Sequence, residues 1–584
     1  MSGAGPRFPR RGSARRRREQ RLLTIWSVCL IGAAAVGWAV SQAVTLAWLS
    51  DDAFISFRYA QNLVRGHGLV FNVGERVEGY TNLLWTLLLA GAMAAGISPE
   101  VAAAVGGIAF WLALVAVLAL WSWRWSGARP VLPLAASLVL LMPDFQMWAT
   151  GGLETSMFAC LSVAGLALAS RAGASRSHLL VSGALLAAAV ATRPDGVIFA
   201  AVGVAAAWFL PSGLALGDRI SRTLALALPL IVSGVALVVF KLAYYGDLFP
   251  TAFYAKSALH PYYSQGLIYV YIFFKQNWFI VPLTVAAAVV GVSRRPAVMS
   301  GASWVFLAAF GLFTLYVIHS AGDFMFARRL LPAVPFLFLV LEDLLRAIAH
   351  PMVRIAVVAL AVVGACLPYP VYGRAVQQIS GISNEPAFYG SPYIETRRVQ
   401  AKAAAKALTG LPVRAIFTGG MCMFAYYSEL PYLVEEHGLT QYSVAKKPLA
   451  ARDRVGHEKI ADQVWATEHN IHLTFMYDLP PVSPAVPREA DEIFFGDRLK
   501  ARIWTYDDAI MDRLRANPAV SFVPIEVTLA AAREQIDQRS HEHAEGVLAF
   551  LERYYFRTAG PEKRPLAEAL KARVEAKKLE IVSR

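Results

Sequence analysis

The sequence predicts a polytopic α-helical membrane protein followed by a water-soluble α/β region. Long uncharged apolar stretches recur through the first two thirds of the chain, several near the roughly 20 residues an α-helix needs to cross a bilayer. Composition agrees: 57% of the 584 residues are hydrophobic and only 16% are charged, against about 25% in soluble domains. Mean hydropathy is +0.47. From about Gly373 onward charged residues become frequent and long apolar runs stop.

Three parts follow: a basic cytoplasmic tail at 1–21, a membrane region at 22–373 and a soluble region at 374–584. Arg7, Arg10, Arg11, Arg15, Arg16, Arg17, Arg18 and Arg21 crowd the tail, with Glu19 the one opposing charge. Basic flanks stay cytoplasmic and favour anionic membrane lipid. The formal charge of +14 is therefore a topology signal, and nucleic acid is not an expected partner. The stretch Leu22 to Leu49 is too long for a signal-peptide core and reads as a retained anchor. Of Cys29, Cys160, Cys366 and Cys422 only the last lies in the soluble region, which excludes an internal disulfide there. No cysteine spacing suits a metal.

Apolar segments fall near 22–49, 81–97, 101–123, 130–142, 155–169, 178–192, 196–210, 222–243, 278–292, 298–318, 330–345 and 353–372. Arginines mark inner loops at Arg124/Arg129, Arg171/Arg176, Arg219/Arg222, Arg294/Arg295 and Arg346/Arg354. Counted from these loops, the last span runs outward and the soluble region lies outside. Twelve crossings from a cytoplasmic N-terminus would leave it inside. One segment therefore does not cross, and 81–97, at the lower length limit, is the candidate. The expected architecture has about eleven spans plus in-plane helices. It sits multi-pass in the plasma (inner) membrane, with the N-terminus cytoplasmic and the C-terminal α/β domain extracytoplasmic.

That topology gathers Asp51, Asp52, Glu78, Glu154, Arg193, Asp195, Asp247, Lys256, His260, His319, Asp323, Arg328 and Arg329 on the outer face. Loops are polar in any protein, but carboxylates at a membrane boundary are costly to desolvate and mark function. After the acidic pair, Ala53, Phe57, Ala60 and Val64 recur at helical spacing, beside Ile55, Tyr59 and Leu63. The expectation is an in-plane amphipathic helix over 52–65, capped by Asp52 and ended by Gly66 and Gly68. In the soluble region 413–420, 472–480 and 520–527 read as strands, 421–428 as a helix start and 562–582 as a solvated Lys/Glu-rich helix. Gly419-Gly420 reads as a turn rather than a phosphate loop.

The stretches DDAFISFRYAQNLVRGHGLVFN (51–72), VEGYTNLLWT (77–86), GGLETSMF (151–158), TRPDG (192–196), GDFMFARRLLP (322–332) and GGMCMFAYYSELPYLVEEHGLTQ (419–441) together resemble the GT-C superfamily of glycosyltransferases that use polyprenyl-phosphate sugars. Within it the resemblance is nearest to the actinobacterial enzymes that add terminal β-(1→2)-arabinofuranose to cell-wall arabinan. The last stretch departs from that pattern, since Gly419 and Gln441 stand where acidic residues are expected.

The resemblance implies transfer of arabinofuranose from decaprenyl-phosphoryl arabinose to terminal arabinan of arabinogalactan or lipoarabinomannan, inverting by superfamily analogy. The expected partners are a polyprenyl-phosphate sugar donor, a polysaccharide acceptor and membrane lipids. A lipid phosphate is already a good leaving group, so the chemistry needs a base for the acceptor hydroxyl and cations for the phosphate. Asp51 is the expected base, with Asp52 in reserve. Arg193, pinned by Pro194 and Asp195, is the favoured phosphate partner, ahead of Arg328 and Arg329 and then Lys256 and His260. A lipid-headgroup anchor is the competing reading of each arginine. Glu78, Tyr80, Glu154, Asp195, His319 and Asp323 are candidate substrate contacts, and Tyr262, Tyr263 and Trp278 read as sugar stackers or interface anchors. Glu154 reads equally as a helix cap. A cofactor is not required by any spacing, but Asp51, Asp52 and Glu154 could hold a divalent cation, magnesium or manganese. Competing readings are a related enzyme using a mannosyl or aminoarabinosyl lipid, a non-enzymatic membrane scaffold and a lipid transporter.

Overall fold

The computed structural model describes residues 30–125, 133–171, 173–210, 213–294, 299–346, 348, 350–372, 378–475, 491–496, 499–558 and 560–582. The basic tail, Arg129, Arg295 and the expected boundary at Gly373 lie outside them. Largely helical chain up to Cys366 is followed by a mixed α/β region.

Among the described residues three helices are long and apolar enough to cross a membrane: Pro99–Trp123, Leu216–Tyr245 and Gly301–His319. Two bent pairs raise the number to five if each pair is one span. The other apolar segments fold as shorter helices, Leu30–Thr45, Leu83–Ala94, Arg176–Thr192, Pro194–Phe209 and Met352–Cys366. Among the described residues, length and composition therefore supply three to five of the expected eleven crossings, and the remaining apolar helices are shorter than a straight span. Leu83–Ala94, with 12 residues, is about 18 Å long against a hydrocarbon core of about 30 Å. Helix Val334–Arg346, expected as a span, is buried along almost its whole length.

The two bends have identifiable causes. Pro143–Thr150 meets Thr155–Ala169 at 116°, through Gly151-Gly152. Gly152 has φ +82, and a Cβ there would lie 2.8 Å from the Ala53 Cβ, so only glycine fits. Tyr263–Gln276 turns into Ile280–Val289 at 89°. Asp144, at the start of the first bent pair, braces this second bend: it accepts from Gln276 Nε2 at 2.8 Å and Asn277 Nδ2 at 2.7 Å. The first bend carries Glu154 into the protein interior, where it is fully buried.

The first-loop helix forms over Ala53–Val64, as the spacing predicts. Two details differ. Asp52 stands at its N-cap but its side chain makes no cap bond, and nine of the twelve residues are buried. The helix is covered by protein on most sides because helix Leu83–Ala94 and helix Cys422–Ser428 of the C-terminal region both pack onto it; Phe54 and Phe57 meet Tyr426 and Tyr427 with ring centroids 5.4–6.0 Å apart.

The C-terminal region opens with a hairpin of β1 (Gln378–Ile379) and β2 (Ile382–Ser383). A six-stranded sheet then forms from β3 (Arg414–Phe417), β4 (Tyr432–Glu435), β5 (Leu473–Phe475), β6 (Glu492–Phe495), β7 (Leu499–Ile503) and β8 (Val520–Phe522), in the order β4-β3-β5-β7-β6-β8. β3 pairs parallel with β4 and β5; the remaining pairs are antiparallel. The expected strand at 520–527 stops at Phe522, because Pro524 caps helix Ile525–Gln538. The strand expected at 472–480 is seen at Leu473–Phe475, and 476–480 lie outside the described residues. Gly419 and Gly420 do form a turn. The Gly419 amide donates to Glu436 Oε1 at 2.8 Å, so the protein's own carboxylate already fills the place a phosphate would take.

Candidate active site

The two adjacent aspartates have different surroundings. Asp51 accepts the backbone N–H of Cys422 at 2.9 Å and of Met423 at 3.1 Å, the opening residues of helix Cys422–Ser428. Further along the first loop, Arg58 donates to the carbonyls of Ala425 and Leu430, the latter at 2.6 Å. Asn72 and Leu433 exchange two hydrogen bonds at 2.9 and 3.0 Å, and Arg65 grips Glu429 bidentately at 2.8 and 2.9 Å. An anion thus meets the amide end of that helix and a cation its carbonyl end. Asp51 ties the first loop to the C-terminal region. Burial pushes its carboxyl up to about 6 despite the two amides.

Asp52 instead faces a cavity of about 440 Å³. No hydrogen bond or ion pair reaches its carboxylate among the described residues. Burial raises its pKa, and Arg328 and Lys256 only partly counter this. Arg193, Lys256, Arg328 and Arg329 line the same cavity, with Asp195 and Asp323. Its apolar wall comes from Ile55, Leu153, Val197, Ile198, Phe249 and Phe253, and Leu439 reaches it from the C-terminal region.

Three carboxylates pair with these four cations. Arg193 spans Glu154 Oε1 at 2.8 Å and both oxygens of Asp195 at 3.0 and 2.9 Å. Arg328 reaches the same Glu154 oxygen at 3.0 Å, Arg329 lies 3.7 Å from Asp195, and Lys256 lies 3.4 Å from Asp323. Burial raises Glu154, but Arg328 and Arg193 outweigh it and hold the carboxyl near 2. Asp323 is likewise raised by burial and brought down to about 2, chiefly by Lys256 and Arg328. Asp195 is also lowered, against burial, by Arg193. Three acids are fixed as counterions, and one acid, Asp52, keeps a raised pKa and an open face. Environments that drive neighbouring carboxyls apart in this way separate structural acids from catalytic ones.

Several expected site residues lie elsewhere. Glu78 is buried away from the cavity and paired with Lys241 at 2.7 Å. Its neighbours Gly79, Tyr80 and Thr81 line the cavity instead. His260 is exposed, and its carbonyl accepts from Arg452. His319 ends helix Gly301–His319 and meets the Tyr263 hydroxyl at 3.2 Å. Trp278 and Tyr263 are exposed outside the cavity. The set Asp51, Asp52 and Glu154 does not assemble as a metal site: Asp51 is occupied by amides and Glu154 by two arginines. No group of three or more His, Cys, Asp or Glu is placed to hold a metal ion among the described residues.

Sequence reasoning passed over Asn82, which donates to Glu154 at 2.8 Å and accepts from Ser56 at 2.9 Å. It also passed over Lys241, a lone charge in an apolar run and so a signal in principle. Gly79 is a further constraint. A Cβ there would lie 2.7 Å from the Leu439 carbonyl and 2.9 Å from the Tyr59 hydroxyl. Gly79→Ala is therefore expected to cost about 1–3 kcal/mol through overpacking, read as a lowered thermal midpoint in detergent; an unchanged midpoint would show that Leu439 moves freely.

The TRPDG turn and the GDFMFARR loop thus bring their arginines to one cavity with the second aspartate of the first loop. Over 354 residues the chain is 29% identical to the terminal β-(1→2)-arabinofuranosyltransferase of Mycobacterium tuberculosis, covering 53% of this chain and 54% of that protein. Over 380 residues it is 27% identical to the Corynebacterium glutamicum protein of the same name, covering 56% of this chain and 52% of that one. The chain is a distant homologue of the terminal arabinofuranosyltransferases. It spans about half the length of the curated relatives it matches. No family model matches it. Among solved structures, ArnT from Cupriavidus metallidurans bound to undecaprenyl phosphate aligns with TM-score 0.45 and 13% identity over 70% of this chain and 86% of that one. An oligosaccharyltransferase from Archaeoglobus fulgidus aligns with TM-score 0.45 and 10% identity over 76% and 68%.

Proposed function

We propose that this chain is a membrane glycosyltransferase of GT-C type. In this reading it moves arabinofuranose from decaprenyl-phosphoryl arabinose to the terminal residues of an arabinan acceptor, forming β-(1→2) linkages. The cavity opens on the outer face of the plasma membrane, with about eleven spans below it and the region 374–584 above. The observation that carries the reading is the carboxylate of Asp52, unpartnered among the described residues, in one cavity with Arg193, Lys256, Arg328 and Arg329.

Asp52 takes the proton of the acceptor hydroxyl as that oxygen bonds to the anomeric carbon. The lipid phosphate leaves with the bonding electrons and is stabilised by the cations beside it. Asp52 replaces Asp51 as the base because both Asp51 oxygens are engaged by Cys422 and Met423. Lys256 replaces Arg193 as the first phosphate partner. Among the described residues its ammonium has a long 3.4 Å contact with Asp323, lies 5.4 Å from the Phe324 ring centre and belongs to a quarter-exposed side chain, whereas Arg193 is held by three hydrogen bonds. The apolar wall suits the first isoprene units of a lipid donor.

Lys256→Met is expected to raise the donor KM about tenfold, the loss of one charge-assisted contact of about 1.5 kcal/mol, while acceptor KM changes little. Equal effects on both substrates would remove Lys256 from the phosphate site. The reading as a whole is tested by incubating purified protein with decaprenyl-phosphoryl arabinose and an arabinan acceptor, followed by linkage analysis. Absence of a new terminal β-(1→2) residue overturns the assigned sugar or linkage.

A further inference from the structure

The segment after the β1–β2 hairpin adds a buried carboxyl that does not line the cavity but lies within electrostatic reach of Asp52. Glu385 follows the β1–β2 hairpin, and that hairpin is stitched to the loop carrying Asp323, Arg328 and Arg329. Ser383 N donates to the Phe324 carbonyl at 2.6 Å, and Phe326 N donates to the Ser383 carbonyl at 3.1 Å. Glu385 is only 3% exposed. Among the described residues no hydrogen bond reaches its carboxylate, which is a costly state for a buried charged group. The titratable and charged groups that act on it most strongly are Asp51 and Asp52 from the first loop, Asp323 and Arg454, and the phenols Tyr372 and Tyr389 feel its charge in turn. Arg454 is the one cation among them. It donates to Ser383 Oγ at 3.2 Å and lies 5.1 Å over the Phe324 ring. Three carboxyls thus oppose one guanidinium that is already in use.

We infer that Glu385 is a proton-bearing residue that sets how tightly the cavity holds an anionic ligand. This rests on the reading of the cavity as a lipid-phosphate site. While neutral, Glu385 leaves the cations to the phosphate. Once ionised, it adds a negative charge within electrostatic reach of Asp52 and Asp323 and weakens that hold. Burial first, and Asp52 second, push its carboxyl up to about 8, so the change falls just above neutral pH.

The test uses the full chain purified in detergent, with undecaprenyl phosphate as the probe. Its dissociation constant is measured from below to above pH 8 in wild type and in Glu385→Gln. Wild-type affinity is expected to fall about tenfold more than that of Glu385→Gln across this range. That is the order expected of one added unit charge within roughly 10 Å at an effective dielectric of about 20. Comparison with the variant removes the titration of the probe's own phosphate. Parallel curves for the two proteins overturn the inference. Infrared difference spectra give a readout independent of any ligand. Wild type at neutral pH is expected to show a protonated-carboxyl band that disappears above pH 8 and is missing in Glu385→Gln; no such band overturns the inference. If the probe binds neither protein while the band behaves as expected, the proton on Glu385 stands and the lipid-phosphate reading of the cavity falls.

Discussion

Asp52→Asn is expected to lower sugar transfer by about 10²–10⁴-fold, the usual contribution of a positioned general base, with donor affinity largely kept. Asn is nearly isosteric and removes the charge without opening a hole. Asp51→Asn gives the decisive contrast. Asp51 accepts the amides of Cys422 and Met423 and does not line the cavity, so its replacement acts through attachment of the C-terminal region. An Asn oxygen there still accepts a hydrogen bond, so turnover is expected to fall less, while proteolysis between the first loop and helix Cys422–Ser428 speeds up. The raised pKa of Asp52 also fixes the sense of the pH profile. Transfer declines as pH drops through that value, because a protonated carboxyl cannot take the acceptor proton, and the decline sets in above the ordinary carboxylate range. The assignment fails if Asp52→Asn turns over normally, or if Asp51→Asn alone abolishes chemistry in a protein that resists protease like wild type.

Arg193→Ala is expected to be a folding lesion of about 3–5 kcal/mol before it is a donor-binding one. Removing one partner of a buried ion pair leaves uncompensated charge in a poor solvent. Arg193 bridges Glu154, whose side chain is fully buried, and Asp195, whose side chain is 4% exposed. Arg328 still reaches Glu154, but among the described residues Asp195 keeps only Arg329 at 3.7 Å. Arg193→Lys is expected to recover part of the loss, since an ammonium keeps the charge but cannot reproduce the fork across two carboxylates. Thermal unfolding in detergent reads both variants. An Arg193→Ala protein with the wild-type midpoint and a selectively raised donor KM would return Arg193 to the role of primary phosphate partner.

Much of the candidate site was legible in the sequence because its residues sit in recognisable local patterns. Asp51-Asp52 ends an apolar run, Arg193 stands in a Pro-Asp turn, and Arg328-Arg329 follows Asp323 in a polar loop. The first-loop helix was legible from 3.6-residue spacing, which depends on that segment alone. Misplaced residues share a different feature: their role depends on a distant partner. Glu78 is claimed by Lys241, 163 positions away, and Asn82 by Glu154, 72 positions away. His260 and His319 share loops with site residues, but their side chains stay outside the cavity. Helix Val334–Arg346 is apolar enough to read as a span yet is enclosed by protein, and hydropathy does not distinguish a lipid environment from a protein interior.

By itself the sequence determined the membrane character, the change of composition near Gly373 and the pool of loop acids and bases, because hydrophobicity, charge and helical period are properties of consecutive residues. Only the tertiary structure decided between Asp51 and Asp52. The two are chemically identical neighbours, and the difference comes from helix Cys422–Ser428, some 370 residues downstream, whose amides occupy the first carboxylate and leave the second facing the cavity.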